Sequence, residues 1–108
     1  MEAWTVAFLD EALPEFERLP ADIRARFQRI IAMVREEGLS ALVMPYARPV
    51  KGRLWEMRAK GKDGIARGLY VAVTGRRVML VRFFEKKVQK TPQDEIRIAL
   101  KRCGEHRI

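Results

Sequence analysis

The chain opens on an alternation. Trp4, Val6 and Phe8 fall on one side and Thr5 and Ala7 on the other, the two-residue period of a strand over Trp4 to Leu9. Asp10 then offers an N-cap, and Leu13, Phe16 and Leu19 recur at helical spacing until Pro20 interrupts them. Pro20 suits the first turn of a second helix, where its missing N–H would have no intrahelical partner. In that helix Ile23, Phe27, Ile30, Ile31 and Val34 form one apolar stripe. Arg24, Arg26, Gln28, Arg29, Arg35 and Glu36 occupy the rest of its surface, and Gly38 is its natural stop. A helical hairpin is therefore expected.

Residues 39–50 carry Pro45 and Pro49 with little periodicity and read as a connecting loop. The period of two then returns. Arg53 to Ala59, Ala66 to Val73 and Val78 to Phe84 predict a three-strand meander, with turns at Gly61-Lys62-Asp63-Gly64 and Thr74-Gly75. The run Val78, Met79, Leu80, Val81 suits a strand inside the sheet, covered on both faces. Thr91-Pro92-Gln93-Asp94 starts a last helix, with Thr91 as cap and Ile96, Ala99, Leu100 and Cys103 as its apolar stripe. This order predicts one α+β domain over residues 1–108, its helices chiefly on one face of a largely antiparallel sheet. The other face is left for function, and there Leu54, Glu56 and Arg58 point the same way.

Composition adds bounds. A chain of 108 residues with 48% apolar content is sized for one core and needs no disulfide scaffold. No window is apolar for long enough to cross a membrane, and no basic segment followed by an apolar core stands at the N-terminus, so a cytoplasmic protein is expected. Cys103 and His106 are the only residues of their kinds, which excludes a Cys/His zinc site, and no cofactor is called for. Cys103 reads as a small buried residue and His106 as a solvated one.

Charge changes the picture more. The net +8 is unevenly placed: residues 1–50 hold six Lys/Arg against eight Asp/Glu, a net −2, and residues 51–108 hold sixteen against six, a net +10. A concentrated basic surface draws phosphates and releases their counterions, so nucleic acid is the default partner, with solubility or an acidic protein as the alternatives.

Three blocks carry a likeness. Lys51-Gly52-Arg53-Leu54-Trp55-Glu56-Met57-Arg58, then Arg67-Gly68-Leu69-Tyr70, then Phe83-Phe84-Glu85-Lys86-Lys87-Val88-Gln89-Lys90-Thr91-Pro92 resemble, in order and spacing, the phage-derived branch of the RelE/HigB toxin family. With the N-terminal strand and hairpin, the resemblance covers nearly the whole chain. It implies a RelE/ParE-like fold and the toxin of a type II toxin–antitoxin system, an endoribonuclease that cuts mRNA on the ribosome without metal. The ribose 2′-hydroxyl would be the nucleophile. A separately encoded helix-turn-helix antitoxin is the implied partner.

On this resemblance Arg67 meets the scissile phosphate as a forked donor, which suits a reaction governed by positioning and electrostatics. Arg58 assists from the neighbouring strand, and Lys86, Lys87 and Lys90 clamp flanking phosphates or protonate the leaving oxygen. Lys51 and Lys60 extend the RNA contacts. Glu56 is either a general base or the carboxylate that holds Arg58 or Arg67 in place. Phe84 and Tyr70 suit base stacking, although Tyr70 equally suits the core, where Trp55 and Phe83 are expected. No histidine stands near the last strand and no tyrosine beyond it, which leaves the general acid open. Two other functions share the fold or the charge: a ParE-like toxin that inhibits a topoisomerase, and an RNA-binding module that breaks no bond.

Overall fold

The chain folds in the order β1 (Thr5–Phe8), α1 (Ala12–Glu17), α2 (Ala21–Glu37), a 3-10 turn (Gly38–Ala41), β2 (Ala47–Lys51), β3 (Leu54–Gly61), β4 (Gly64–Val73), β5 (Arg77–Lys86) and α3 (Gln93–His106). The computed structural model describes residues 3–42, 46–86 and 90–108. The strands form one sheet in the order β1-β5-β4-β3-β2, antiparallel except for β1, which lies parallel to β5 at one edge. The α+β class, the hairpin, the meander and the last helix are as expected, and β5 is interior, as its apolar run implies.

The segment read as a connecting loop contains a strand. Ala47–Lys51 adds a further antiparallel strand beside β3. Pro49 concealed it, because proline has no N–H for a ladder. It is tolerated here at the sheet edge, where the register shifts between Pro49 and Lys51.

The α1–α2 hairpin covers one face of the sheet. The whole predicted stripe of α2 is buried. Phe27 and Phe16 each meet Phe83 of β5 edge-on, with ring centroids 5.2 Å apart. Gly68 on β4 makes room for that ring, since a Cβ there would stand 2.6 Å from it. Gly38 closes α2 at φ +76°, and its bare Cα admits the Trp4 indole, whose Nε1 would lie 2.4 Å from an added Cβ.

The third helix lies on the opposite face, so the helices are not gathered on one side. Its Leu100 and Cys103 flank Leu54 of β3 and Val71 of β4. Near its start Glu95 accepts from Arg82 Nε of β5 at 2.7 Å. Arg58 and Lys86 remain half-buried and Lys60 exposed at the other end.

Several local expectations give way to packing. Asp10 does not cap α1; the N–H groups of Ala12 and Leu13 go to the Leu9 carbonyl. Leu13 and Leu100 are exposed, and Trp55 stands at the surface beside Leu39 and Leu42. In α1 it is Glu15 that turns inward with Ala12 and Phe16. The reason is the edge of β5 beyond the end of β1: Glu15 Oε1 accepts the Phe83 N–H at 3.2 Å. Arg102 of α3 donates to both Glu15 oxygens, at 2.9 and 2.7 Å, and Arg82 also donates to Glu15. Cys103 is buried, as expected.

Burial pushes the Glu15 carboxyl up, but the Arg102 fork, the Phe83 N–H and the Arg82 charge outweigh it and hold it below the ordinary value. A depressed carboxylate stabilises the fold above its unfolded pKa of about 4.3, and that stabilisation is lost as pH falls through the folded value. Glu15→Ala should cost about 3 kcal/mol at neutral pH, because it removes the buried carboxylate that Arg102 and Arg82 share, while Arg82 keeps Glu95. Urea unfolding at a series of acidic pH values should show the difference from the parent shrinking below that pKa. A difference independent of pH would mean that Glu15 acts through packing alone.

Candidate nucleic-acid interface

Strand register sets basic side chains in rows across the open part of the second face. Arg48 of β2 stands opposite Glu56 of β3, which stands opposite Leu69 of β4 and then Arg82 of β5. The next row is Arg58, Arg67 and Phe84, and the one beyond it Lys60, Ile65 and Lys86. Since alternate residues share a face, a slip of one residue in β3 or β4 would scatter the set.

At the centre lie Glu56 and Arg67, each only 1% exposed. Arg67 Nη1 donates to Glu56 Oε2 at 3.1 Å and to Thr91 Oγ1 at 2.6 Å. The Thr91 hydroxyl donates in turn to Glu56 Oε2 at 2.7 Å. Arg48 Nε donates to the other oxygen, Oε1, at 2.5 Å. Both oxygens of Glu56 are thus engaged, which favours its reading as the carboxylate that holds arginines in place. Its partners are Arg67 and Arg48, while Arg58 stands one row further on. Burial lowers the Arg67 pKa and the Glu56 charge raises it, with burial the larger effect. The guanidinium remains charged at any working pH.

The surrounding cations are more accessible. The Arg48 side chain is 38% exposed, and Lys60 and Lys90 stand in solvent. Burial, together with the charges of Arg67, Arg58 and Arg48, pushes the Lys86 ammonium below the ordinary lysine range. Lys90 and Arg48 share with Thr91 a cleft of about 430 Å³ between β2 and the start of α3.

Most of the expected site residues therefore share one face, namely Glu56, Arg58, Lys60, Arg67, Phe84 and Lys86, with Lys90 beside them. Phe84 is 8% exposed, so its ring is part of the wall and not an open stacking platform. Lys51 stands elsewhere, beside Leu100, Cys103 and Ile108 near the far end of α3. Tyr70 is on the wrong face. Its register with Trp55 and Leu80 is out of phase with Arg67, and it is 3% exposed among Leu39, Leu42 and Trp55. Burial raises its phenol pKa, in keeping with a core residue. Lys87 lies outside the described residues. His106 is remote from the site and bonds Glu11 of the α1 N-terminus at 2.9 Å.

Two members of the network are additions. Arg48 was hidden in a segment read as a loop, and its signal was the position opposite Glu56 that a fourth strand would create. Thr91 looked like a helix cap, yet α3 begins after Pro92 without a side-chain cap, and the hydroxyl bridges Arg67 and Glu56 instead. Among the described residues no group of three or more His, Cys, Asp and Glu side chains is arranged to hold a metal ion, and no helix is long and apolar enough to cross a membrane.

Residues 14–104 match the family described as phage derived protein Gp49-like (DUF891). The fold is similar to that of an E. coli toxin RelE mutant solved in the free state, with 17% identity, a TM-score of 0.59, and 93% of this chain and 97% of that chain covered. It is also similar to the archaeal RelE–RelB complex from Pyrococcus horikoshii OT3, with 14% identity, a TM-score of 0.57, and 81% and 99% covered. No curated protein matches the chain.

The buried pair makes a thermodynamic prediction. Glu56→Ala should destabilise the fold by about 3–5 kcal/mol, because Arg67 would stay buried beside an empty site. Thr91→Val should cost about 1–3 kcal/mol through the lost hydroxyl. The double variant should cost less than the sum of the two by more than about 0.5 kcal/mol, as expected of residues in one network. Chemical denaturation of the four proteins measures this, and strict additivity would show that Thr91 and Glu56 act separately.

Proposed function

Since the chain belongs to the phage-derived Gp49-like family and its fold is similar to that of RelE toxins, we propose that it is the toxin of a type II toxin–antitoxin pair and cleaves mRNA, on the ribosome, through attack by the ribose 2′-hydroxyl. The observation that carries this reading is the set of cations around the buried Glu56–Arg67 pair, beside the start of α3. Solved structures of similar fold include a RelE–RelB complex, which supports an antitoxin as the regulating partner.

In this reading Arg67 is the fixed charge beneath the reacting phosphate, and Arg48, Arg58 and Lys90 are the side chains that reach it from solvent. Charge developing on the phosphoryl oxygens meets guanidinium groups already held in place, so little reorganisation accompanies the reaction. The 2′-oxygen attacks phosphorus while the bond from phosphorus to the 5′-oxygen breaks, leaving a 2′,3′-cyclic phosphate and a 5′-hydroxyl. Lys86 is assigned to protonate that 5′-oxygen, because burial and three neighbouring guanidinium groups make its ammonium a stronger acid than an ordinary lysine. Glu56, with both oxygens engaged, holds Arg48 and Arg67, and the 2′-hydroxyl proton leaves to solvent.

Lys86→Ala should lower the cleavage rate by about 10²-fold or more with stability nearly unchanged. An acid must be protonated to act, so the parent rate should fall above the lowered Lys86 pKa, and Lys86→Arg should remove that descending limb. The assay is cleavage in the presence of EDTA, with new 5′ ends mapped in translated mRNA after controlled induction in bacteria. Toxicity without cleavage, accompanied by loss of supercoiling activity in a topoisomerase assay, would replace the nuclease reading with the ParE-like one.

A further inference from the structure

A second basic hollow adjoins the site. It occupies about 370 Å³ between α2 and the edge of the sheet, lined by Arg26, Arg29, Tyr46, Arg58 and Lys60 above an apolar floor that includes Ile30. Arg26 and Arg29 come from the half of the chain whose net charge is negative, so composition gave no hint of this surface. Only the folded chain brings them beside β3. The register of β2 with β3 begins at Ala47 and Met57, and just outside it the Tyr46 carbonyl accepts the Arg58 N–H at 2.9 Å, anchoring Tyr46 at the rim. The Tyr46 side chain is left with 43% of the residue exposed. Among the described residues Arg26 and Arg29 form no salt bridge. The nearby carboxylate, Asp22, accepts the backbone N–H groups of Lys62 and Ile23 and is held below its ordinary pKa chiefly by the first of these, with the Arg26 charge adding a smaller part.

Four cations and one exposed aromatic ring are what an unpaired nucleotide requires, since the cations track the backbone and the ring stacks on a base without regard to its identity. Arg58 lines this hollow and also stands opposite Arg67, so one strand can pass from one to the other without a gap. We infer that this hollow is a subsite for a nucleotide flanking the scissile phosphate in single-stranded RNA, with Tyr46 stacking on its base and Arg26 and Arg29 on its phosphates. The inference rests on the RNA-cleaving reading and adds to it where the strand leaves the site.

The test uses the full chain and a fluorescein-labelled 2′-O-methyl oligouridine of about twelve nucleotides, a length near the range bound by single-strand grooves. This probe lacks the nucleophile and stays intact, so anisotropy reports binding alone. Tyr46→Ala should weaken binding about ten-fold, the effect of one lost stacking contact, and Tyr46→Phe should bind like the parent. Arg26→Ala with Arg29→Ala should flatten the dependence of log affinity on log salt by about 1.4, the slope of two phosphate contacts on a single strand. Binding by Tyr46→Ala equal to that of the parent, or Tyr46→Phe as weak as Tyr46→Ala, would overturn the subsite. Displacement of the probe by polyglutamate of matched charge would overturn it too and assign the hollow to an acidic protein. Binding that depends on Tyr46 with no cleavage of natural RNA would preserve the subsite and sink the nuclease reading. Cleavage and binding untouched by all of these variants would do the reverse.

Discussion

The basic face of the sheet is organised by a charge pair removed from water. Taking a carboxylate and a guanidinium out of solvent costs several kcal/mol each, and their attraction offsets this only if the geometry is close and the remaining polar atoms are satisfied. Glu56 and Arg67 meet that condition through register: they sit in adjacent rows of paired strands and share the Thr91 hydroxyl. The constraint reaches outward. Arg48 must come from a strand that pairs with β3, which accounts for β2 and its proline at the sheet edge. Thr91 must stand at the start of α3, which fixes where that helix crosses the face. A second buried carboxylate, Glu15, ties α3 to α1 and β5 at the sheet's other edge.

Much of the fold was legible because periodicity reports burial. The α2 stripe and the strands of the meander are set by which side chains leave water, and the pattern of apolar residues records that directly. What escaped the sequence was decided by long-range polar partners. Glu15 carries no sign that it faces inward, since its partners lie 67 and 87 positions away on β5 and α3. β2 escaped because a proline and an arginine on an edge strand look like any loop. Thr91 escaped because a local explanation, the helix cap, was sufficient.

The site was legible in composition and only partly in geometry. Glu56 and Arg58 were expected together on the strength of strand alternation, which holds within one strand, and Arg67 joined them through the family resemblance. Tyr70 falls to the same rule within β4: its distance from Arg67 is three residues, an odd number, and odd spacing within a strand reverses the face. The same rule explains why Trp55 accompanies Tyr70 and not Glu56. The aromatic ring left open beside the cations is Tyr46, in a segment whose sequence offered no period to read.

The arrangement also carries a cost that folding alone does not explain. Arg58 and Arg67 are directly paired across β3 and β4, and like charges in that position oppose sheet formation. Lys86 adds a third positive group, whose proton affinity falls through burial and then through these charges. A fold under selection for stability alone would place threonine or a carboxylate at such positions. Departures of this kind, where a local rule is broken and the neighbouring carboxylate offsets only part of the repulsion, are characteristic of surfaces shaped for a ligand. Glu56 neutralises part of the cluster, but it is placed to fix Arg48 and Arg67 while leaving Arg58 and Lys86 on the open side. The unbalanced charge is therefore directed outward, and a polyanion is the partner that would relieve it.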